Sequence, residues 1–390
     1  MKEVFIVSAR RTPIGGFLGM LTNHSATELG AIVIKSALSS CNLEPDTIDS
    51  VYMGNVLSAG LGQAPARQAA RFAGIADETD CTTINKVCSS GLKAATIGAQ
   101  QIQLGQQNLV VAGGMESMSN VPHYINLRKP AKLGNEHITD GLLKDGLTDA
   151  YNNYHMGKAA EMCVEKYSLS RAQQDEFALQ SYARAAAAFS SGNFNREIVP
   201  VISKLGERNF VEDEDVTKVI VEKVPRLKPV FVTDGTITAA NASNLSDGAA
   251  AIILASAEAV EKYGLQPLAR VVAYADASQA PEWFTTSPAM AITKALQYAG
   301  LRVTDIDYFE INEAYAAVVL ANQLILRIPN SKTNVYGGAV AMGHPLGASG
   351  ARILCTLLSV LQQEGGRYGV AAICNGGGGA TAMVIENLKK

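Results

Sequence analysis

Four short stretches of this sequence place residues that can make and break covalent bonds. The first is Asn85-Lys86-Val87-Cys88-Ser89-Ser90-Gly91-Leu92-Lys93, lying between an apolar run and a segment rich in Ala and Gln. It sets Cys88 at a helix N-terminus, where free N–H groups and the macrodipole favour a thiolate. The N–H of Cys88 can itself face an oxyanion. A buried structural cysteine is the ordinary alternative, but the small Ser-Ser-Gly that follows leaves the clearance a bulky acyl group needs. The second stretch, Gly337 to Gly350, carries His344 in a glycine-rich loop ahead of a helix, a general base placed to serve such a nucleophile. The third, Cys374-Asn375-Gly376-Gly377-Gly378-Gly379, follows an apolar strand. Its glycines allow close backbone approach and expose N–H donors for a second oxyanion contact. It lacks the Lys-Ser/Thr ending and following helix of a phosphate loop, so Cys374 reads as an acid–base group. The fourth, Asn312-Glu313-Ala314-Tyr315, closes a strand and puts a neutral amide at a sheet edge, where ligands bind.

The elements that must position these groups occur twice. Lys35 to Leu38 leads through a polar turn into Ile48–Asn55; 258 residues further on, Lys294 to Leu296 leads into Ile306–Asn312. Downstream, Ser90-Gly91 opens a helical stretch closing at Gly105 before an apolar strand. Ser349-Gly350 opens another, closing at Gly365 before the strand that ends on Cys374. His344 therefore stands where Cys88 stands in the first copy. The pattern predicts an α/β fold made of two related units, with mixed or mostly parallel sheets and helices in layers. Polarity rises between the copies (Lys129, Lys132, Glu212 to Asp215), which predicts an inserted loop domain or lid. The expected division is 1–118 with 245–267, an insertion over 119–244, and 268–390. Ala249–Leu254 should return to the first sheet.

Length alone suggests two or three domains, and 47% hydrophobic with 18% charged residues fits a folded enzyme-sized chain. The net charge of −3 with no basic stripe argues against nucleic acid as a partner, and no apolar run is long enough for a bilayer. The six cysteines show neither CxxC pairs nor metal spacing, so reduced thiols in a cytoplasmic protein are expected. A strand beginning at Val4 leaves no room for a leader, and the C-terminus carries no peroxisomal tripeptide.

Taken together, the four stretches resemble the signatures of the thiolase family, and the resemblance runs from Arg10-Arg11-Thr12-Pro13 to the last strand. Tyr315 stands where the family more often has Phe. The resemblance implies that His344 deprotonates Cys88, which takes an acyl group from an acyl-CoA. Cys374 then deprotonates a second acetyl-CoA, and both cysteines are expected to titrate near neutrality. It also implies oxyanion holes at the N–H groups of Cys88 and Gly376, and at His344 with a water on Asn312. No cofactor is implied beyond coenzyme A as substrate, and a homodimer or homotetramer is expected.

His155-Met156-Gly157 resembles the short-chain, acetoacetyl-CoA branch, with Met156 narrowing the acyl pocket. By the same resemblance Phe231, Ser243, Ala314, Tyr315 and Tyr182 contact substrate, and Lys218 and Lys223 meet the CoA nucleotide. Tyr182 with the carbonyls of Ala239, Ala240, Ala242 and Val340 resembles a potassium site; a packing role for Tyr182 is the alternative. Three functions stay open: acetyl-CoA C-acetyltransferase, broad-range 3-ketoacyl-CoA thiolase, and a non-catalytic acyl-CoA carrier. The last should have lost a catalytic group, and none is missing. A ketoacyl synthase is disfavoured by Cys374.

Overall fold

The computed structural model describes residues 1–128, 132–206 and 208–389; Lys129 lies outside them. The apolar runs form strands β1 (Val4–Arg11), β2 (Ser50–Gly54), β3 (Asp80–Ile84), β4 (Leu109–Ser117), β5 (Ser246–Ser256), β6 (Ala269–Ser278), β7 (Tyr308–Ile311), β8 (Tyr368–Asn375) and β9 (Gly379–Asn387). The helices that matter here are α1 (Ala26–Ser40), α2 (Pro65–Phe72), α3 (Ser90–Gln103), α4 (Met156–Lys166), α5 (Arg171–Ser190), α6 (Ser287–Ala299), α7 (Ala316–Leu326) and α8 (Leu346–Glu364). Local chemistry sets their ends. Ser25 and Glu28 form a capping box on α1, and Gly365, at φ 80°, closes α8.

The strands form one sheet in the order β7-β8-β9-β6-β1-β5-β4-β2-β3. Its halves mirror the sequence duplication: β2-β4-β5-β1 and β7-β8-β9-β6 each run parallel, antiparallel, antiparallel. Of the two forms expected, the sheet is the mixed one rather than mostly parallel, since only β2–β3, β2–β4 and β7–β8 are parallel strand pairs. In the second half the reason lies in its last return. β8 turns into β9 through Gly376-Gly377-Gly378, a connection so short that only an antiparallel neighbour can accept it. Gly377 and Gly378 take φ of 84° and 85° to make that turn. In the first half the equivalent connection, β4 to β5, is the whole of residues 118–245. The halves meet through two residue pairs, Phe5 with Arg270 and Ile6 with Ala269.

Strand alternation sorts side chains into layers. Val51, Met53, Val111 and Ile253 pack against α1 and α2 on one outer face. Phe309, Ile311, Val370 and Val384 pack on α6 and α7 on the other. Between the half-sheets lie α3 and α8, surrounded by Val110, Ile252, Leu254, Ile373 and Met383. These two helices touch backbone to backbone. A Cβ on Gly91 would sit 2.8 Å from the Ala351 nitrogen, and one on Gly350 2.4 Å from the Leu92 nitrogen. The N-termini of α3 and α8 therefore lie side by side, and they carry Cys88 and His344. That juxtaposition makes the site.

Candidate active site

Cys88 directly precedes Ser89, the residue that leads into α3. Its neighbour Val87 has φ 49°, an unusual conformation for a β-branched residue. Several bonds hold this elbow. Lys86 Nζ donates to Asp276 (2.5 Å) and Thr381 (2.8 Å) in the other half, and Ser90 Oγ donates to the Val87 carbonyl at 2.6 Å. The backbone N–H groups of Cys88 and Gly376 act to lower the Cys88 thiol, against the upward push of desolvation. Cys374, the penultimate residue of β8, is fully buried and electrostatically coupled to Cys88.

His344 is fixed from both sides. Its N–H donates to the Asn244 carbonyl and to Ser246 Oγ, each at 3.1 Å. Its Nδ1 lies 2.6 Å from Ser349 Oγ, whose hydroxyl donates to the Pro345 carbonyl at 2.9 Å. With that proton committed, Ser349 accepts from Nδ1–H, so Nε2 carries the lone pair. Nε2 is buried and has no partner among the described residues, as suits a base awaiting a proton. Asn312, fully buried just past β7, likewise has both side-chain atoms unpaired.

The expectation that both cysteines titrate near neutrality is corrected. Desolvation pushes Cys88 up to about 12 and Cys374 well above the ordinary thiol range, and it pushes His344 down to about 3. Desolvation is fullest at Cys374 and His344, whereas Cys88 is only half-buried and faces the cavity, so its upward shift is the least secured by burial. These shifts favour the uncharged form of each of the three groups.

A cavity of about 340 Å³ opens onto these groups, lined by Cys88, His344 and Gly376 with His155, Met156, Phe231, Ser243, Ala314 and Tyr315. His155 caps α4 by accepting from the Gly157 N–H at 3.0 Å, and its ring stacks on Phe231 at 4.6 Å. Phe231 meets Tyr315 edge-on at 5.9 Å. These rings and Met156 make an apolar wall. Ser243 donates to the Ala314 carbonyl at 3.0 Å.

Other expected contacts do not reach the cavity lining. Lys218 pairs with Glu214 (2.9 Å) and Asp215 (2.8 Å), and Lys223 is exposed on the short helix Val221–Arg226. Tyr182 is buried on α5 in a cluster with Val340, beside the carboxylates of Asp215 and Glu313, which with burial push its phenol up to about 12. Ala239 and Ala242 line the cavity, whereas Ala240 lies in the turn behind them. Among the described residues, the backbone bonds of that turn go to the Thr238 and Asn241 carbonyls rather than to those of the three alanines. Tyr182 and Val340 share one cluster, while Ala242 packs in another with Met156 and Tyr315.

Sequence reasoning missed Ser349 and Asn244, which orient His344, and Phe284 and Leu147, which line the cavity. Ser349 had a signal, being a hydroxyl within the first turn of the helix that follows the base. Asn244, Phe284 and Leu147 had none, because only the fold brings them to His344.

The thiolase N-terminal domain family matches residues 4–258, and the thiolase C-terminal domain family matches residues 265–387. The chain belongs to the thiolase family. It is 53% identical to acetyl-CoA acetyltransferase 2 of Arabidopsis thaliana over 99% of this chain and 98% of that protein. It is 50% identical to a cytosolic acetyl-CoA acetyltransferase of Gibberella zeae, over 100% and 99%. Among solved structures it resembles the Acat5 thiolase of Ascaris suum in complex with coenzyme A, at 48% identity, TM-score 0.96, covering 99% and 100% of the two chains.

Proposed function

We propose that this protein is an acetyl-CoA C-acetyltransferase, condensing two acetyl-CoA into acetoacetyl-CoA and CoA and catalysing the reverse. The observation that carries the reading is the convergence of Cys88, His344 and Gly376 on one small cavity, with Cys374 buried behind its lining and close enough to interact electrostatically with Cys88. His344 takes the Cys88 proton; the thiolate attacks the thioester carbon; CoA leaves with the proton returned by His344. Cys374 first passes its thiol proton to His344, free again once CoA has left, and as thiolate removes a methyl proton from a second acetyl-CoA. The carbanion attacks the Cys88 thioester, and the departing Cys88 sulfur takes the proton from the His344 imidazolium, leaving Cys374 a thiol again. The N–H groups of Cys88 and Gly376 face the acyl oxygen, and His344 with an Asn312-bound water faces the other. His155, Met156, Phe231, Ser243, Ala314 and Tyr315 hold the substrate. Lys218 and Lys223 remain our assignment for the CoA nucleotide, supported by their charge alone.

The alternative, a broad-range 3-ketoacyl-CoA thiolase, differs in pocket depth. Met156 Sδ and Cε lie 3.9 Å from where a Gly376 Cβ would stand, so the acyl end is shallow. Turnover of a six-carbon ketoacyl-CoA should therefore have kcat/KM at least about tenfold below that of acetoacetyl-CoA. Equal values would favour the broad-range reading. Met156→Ala should narrow the gap.

Tyr182 with the carbonyls of Ala239, Ala240, Ala242 and Val340 would hold potassium, Val340 tying the ion to the loop that carries His344. Potassium should lower the KM for CoA substrates or raise turnover relative to sodium at equal ionic strength. Identical kinetics in the two salts, with Tyr182→Phe silent, would leave Tyr182 a packing residue. We divide the chain into two halves (1–118 with 245–267, and 268–390) and a lid (119–244), a division supported by the strand order. We assign a homodimer or homotetramer, supported by the open backbone edge of β3, and the cytoplasm, supported by six unpaired thiols and a cytosolic relative.

A further inference from the structure

Gly347 lies in the first turn of α8, between His344 and Ser349, and its N–H donates to Glu116 Oε2 at 2.9 Å. Glu116 is fully buried near the end of β4. The Val56 N–H shares Oε2 at 3.0 Å, while Asn55 Nδ2 (2.8 Å) and the Leu57 N–H (3.2 Å) donate to Oε1. Four N–H groups surround the carboxylate. A protonated carboxyl would have to aim its O–H at one of them, so the cradle suits the anion. Burial acts the other way and raises the group to about 7.

This carboxylate joins the two halves. Glu116 and Asn55 to Leu57 belong to the first, and Gly347 to the second. The backbones there are in contact: a Cβ on Gly54 would lie 2.7 Å from the Gly347 oxygen, and one on Gly114 2.0 Å from it. Val56, Leu57 and Leu346 pack beside the joint with Met118 and Cys88. Met118, Leu346 and Cys88 also line the catalytic cavity, so the joint stands directly behind the reacting groups. The Glu116 charge reaches the nucleophile as well, raising the Cys88 thiol.

The geometry points to Glu116 as a positioning residue of the reaction, clamping the first turn of α8, and with it His344, in place against Cys88. The inference rests on the reading of Cys88 and His344 given above. It makes Glu116 more than a helix cap, because a single carboxylate ties the first turn of α8, from the second half, to the Asn55–Leu57 segment of the first, against which Cys88 packs.

Glu116→Gln tests it. The amide has one accepting oxygen, and its NH₂ must confront two of the four N–H groups, so the first turn of α8 loses its clamp. Turnover should fall by about 10- to 100-fold, the scale of lost buried hydrogen bonds to a charged group. KM for acetoacetyl-CoA should stay within about threefold. Removing the anion should also move the pH midpoint of Cys88 alkylation by iodoacetamide downward, since a neighbouring negative charge raises a thiol. Glu116→Asp keeps the charge but retracts it, so turnover should drop while the midpoint stays at the wild-type value. Wild-type turnover and an unmoved midpoint in Glu116→Gln would overturn the clamp, as would a loss confined to KM. Should the Gln variant fail to fold, the Asp variant decides: wild-type turnover there overturns the clamp. Acetylation of wild-type Cys88, followed by mass spectrometry, separates the two readings. Its absence sinks the acyl-enzyme, whereas acetylated Cys88 with an indifferent Glu116→Gln sinks only the clamp.

Discussion

Cys88→Ala is expected to abolish acyl-enzyme formation and lower turnover by about 10⁴-fold or more, as when other covalent nucleophiles are removed. No other thiol can take its place. Cys374 and Cys163 are fully buried in one cluster, Cys355 is buried on α8, and neither these nor Cys41 and Cys81 line the cavity. Mass spectrometry after acetyl-CoA treatment should map one acetyl group to Cys88 in the wild type and none in the variant. An acetyl group on Cys374 instead would overturn the assignment of roles. The pH behaviour should match groups that favour their uncharged forms. Because desolvation pushes the Cys88 thiol up to about 12 and His344 down to about 3, neither changes charge alone between pH 6 and 8. Alkylation of Cys88 should accordingly be slow at neutral pH for a catalytic cysteine and should rise as the pH approaches the thiol midpoint.

Cys374→Ser should split the reaction in two. Acetylation of Cys88 survives, because the elbow at Val87, the Gly376 N–H and His344 remain in place. Exchange of the acetyl-CoA methyl protons in deuterated water should fall by about 10²-fold or more, the scale of a lost general base. A hydroxyl is a far weaker base than a thiolate at equal burial, which is why Ser, close in shape, suffices as the test. Unchanged exchange would remove Cys374 from the mechanism and leave His344 to serve both steps.

The duplication was readable because each copy repeats a helix, a polar turn and an apolar strand ending on Asn, and these patterns depend only on neighbouring residues. The four chemical stretches were readable for the same reason. Cys88, His344, Asn312 and Cys374 each sit at a strand or helix end marked by small residues. Strand direction was not. That β4 and β5 pair antiparallel is decided by how residues 118–245 leave and return, and no residue in either strand records it. The protonation states were also beyond the sequence. The helix terminus at Cys88 argued for an easily ionised thiol, but the desolvation around it and the full burial of Cys374 act in the opposite direction. Lys218 shows the same limit, since its charge suggested a nucleotide, while the fold placed Glu214 and Asp215 within reach. Glu116 is the clearest case. Its sequence position, a lone charge at the end of an apolar strand, is visible; its partner Gly347 is 231 residues away, and only the docking of the two halves puts a donor there. The sequence by itself determined which residues have the chemistry and which elements carry them, because those follow from side-chain type and local periodicity. Tertiary structure alone decided their charge states, their second partners and the register of base against nucleophile, because burial and long-range hydrogen bonds depend on the whole folded chain.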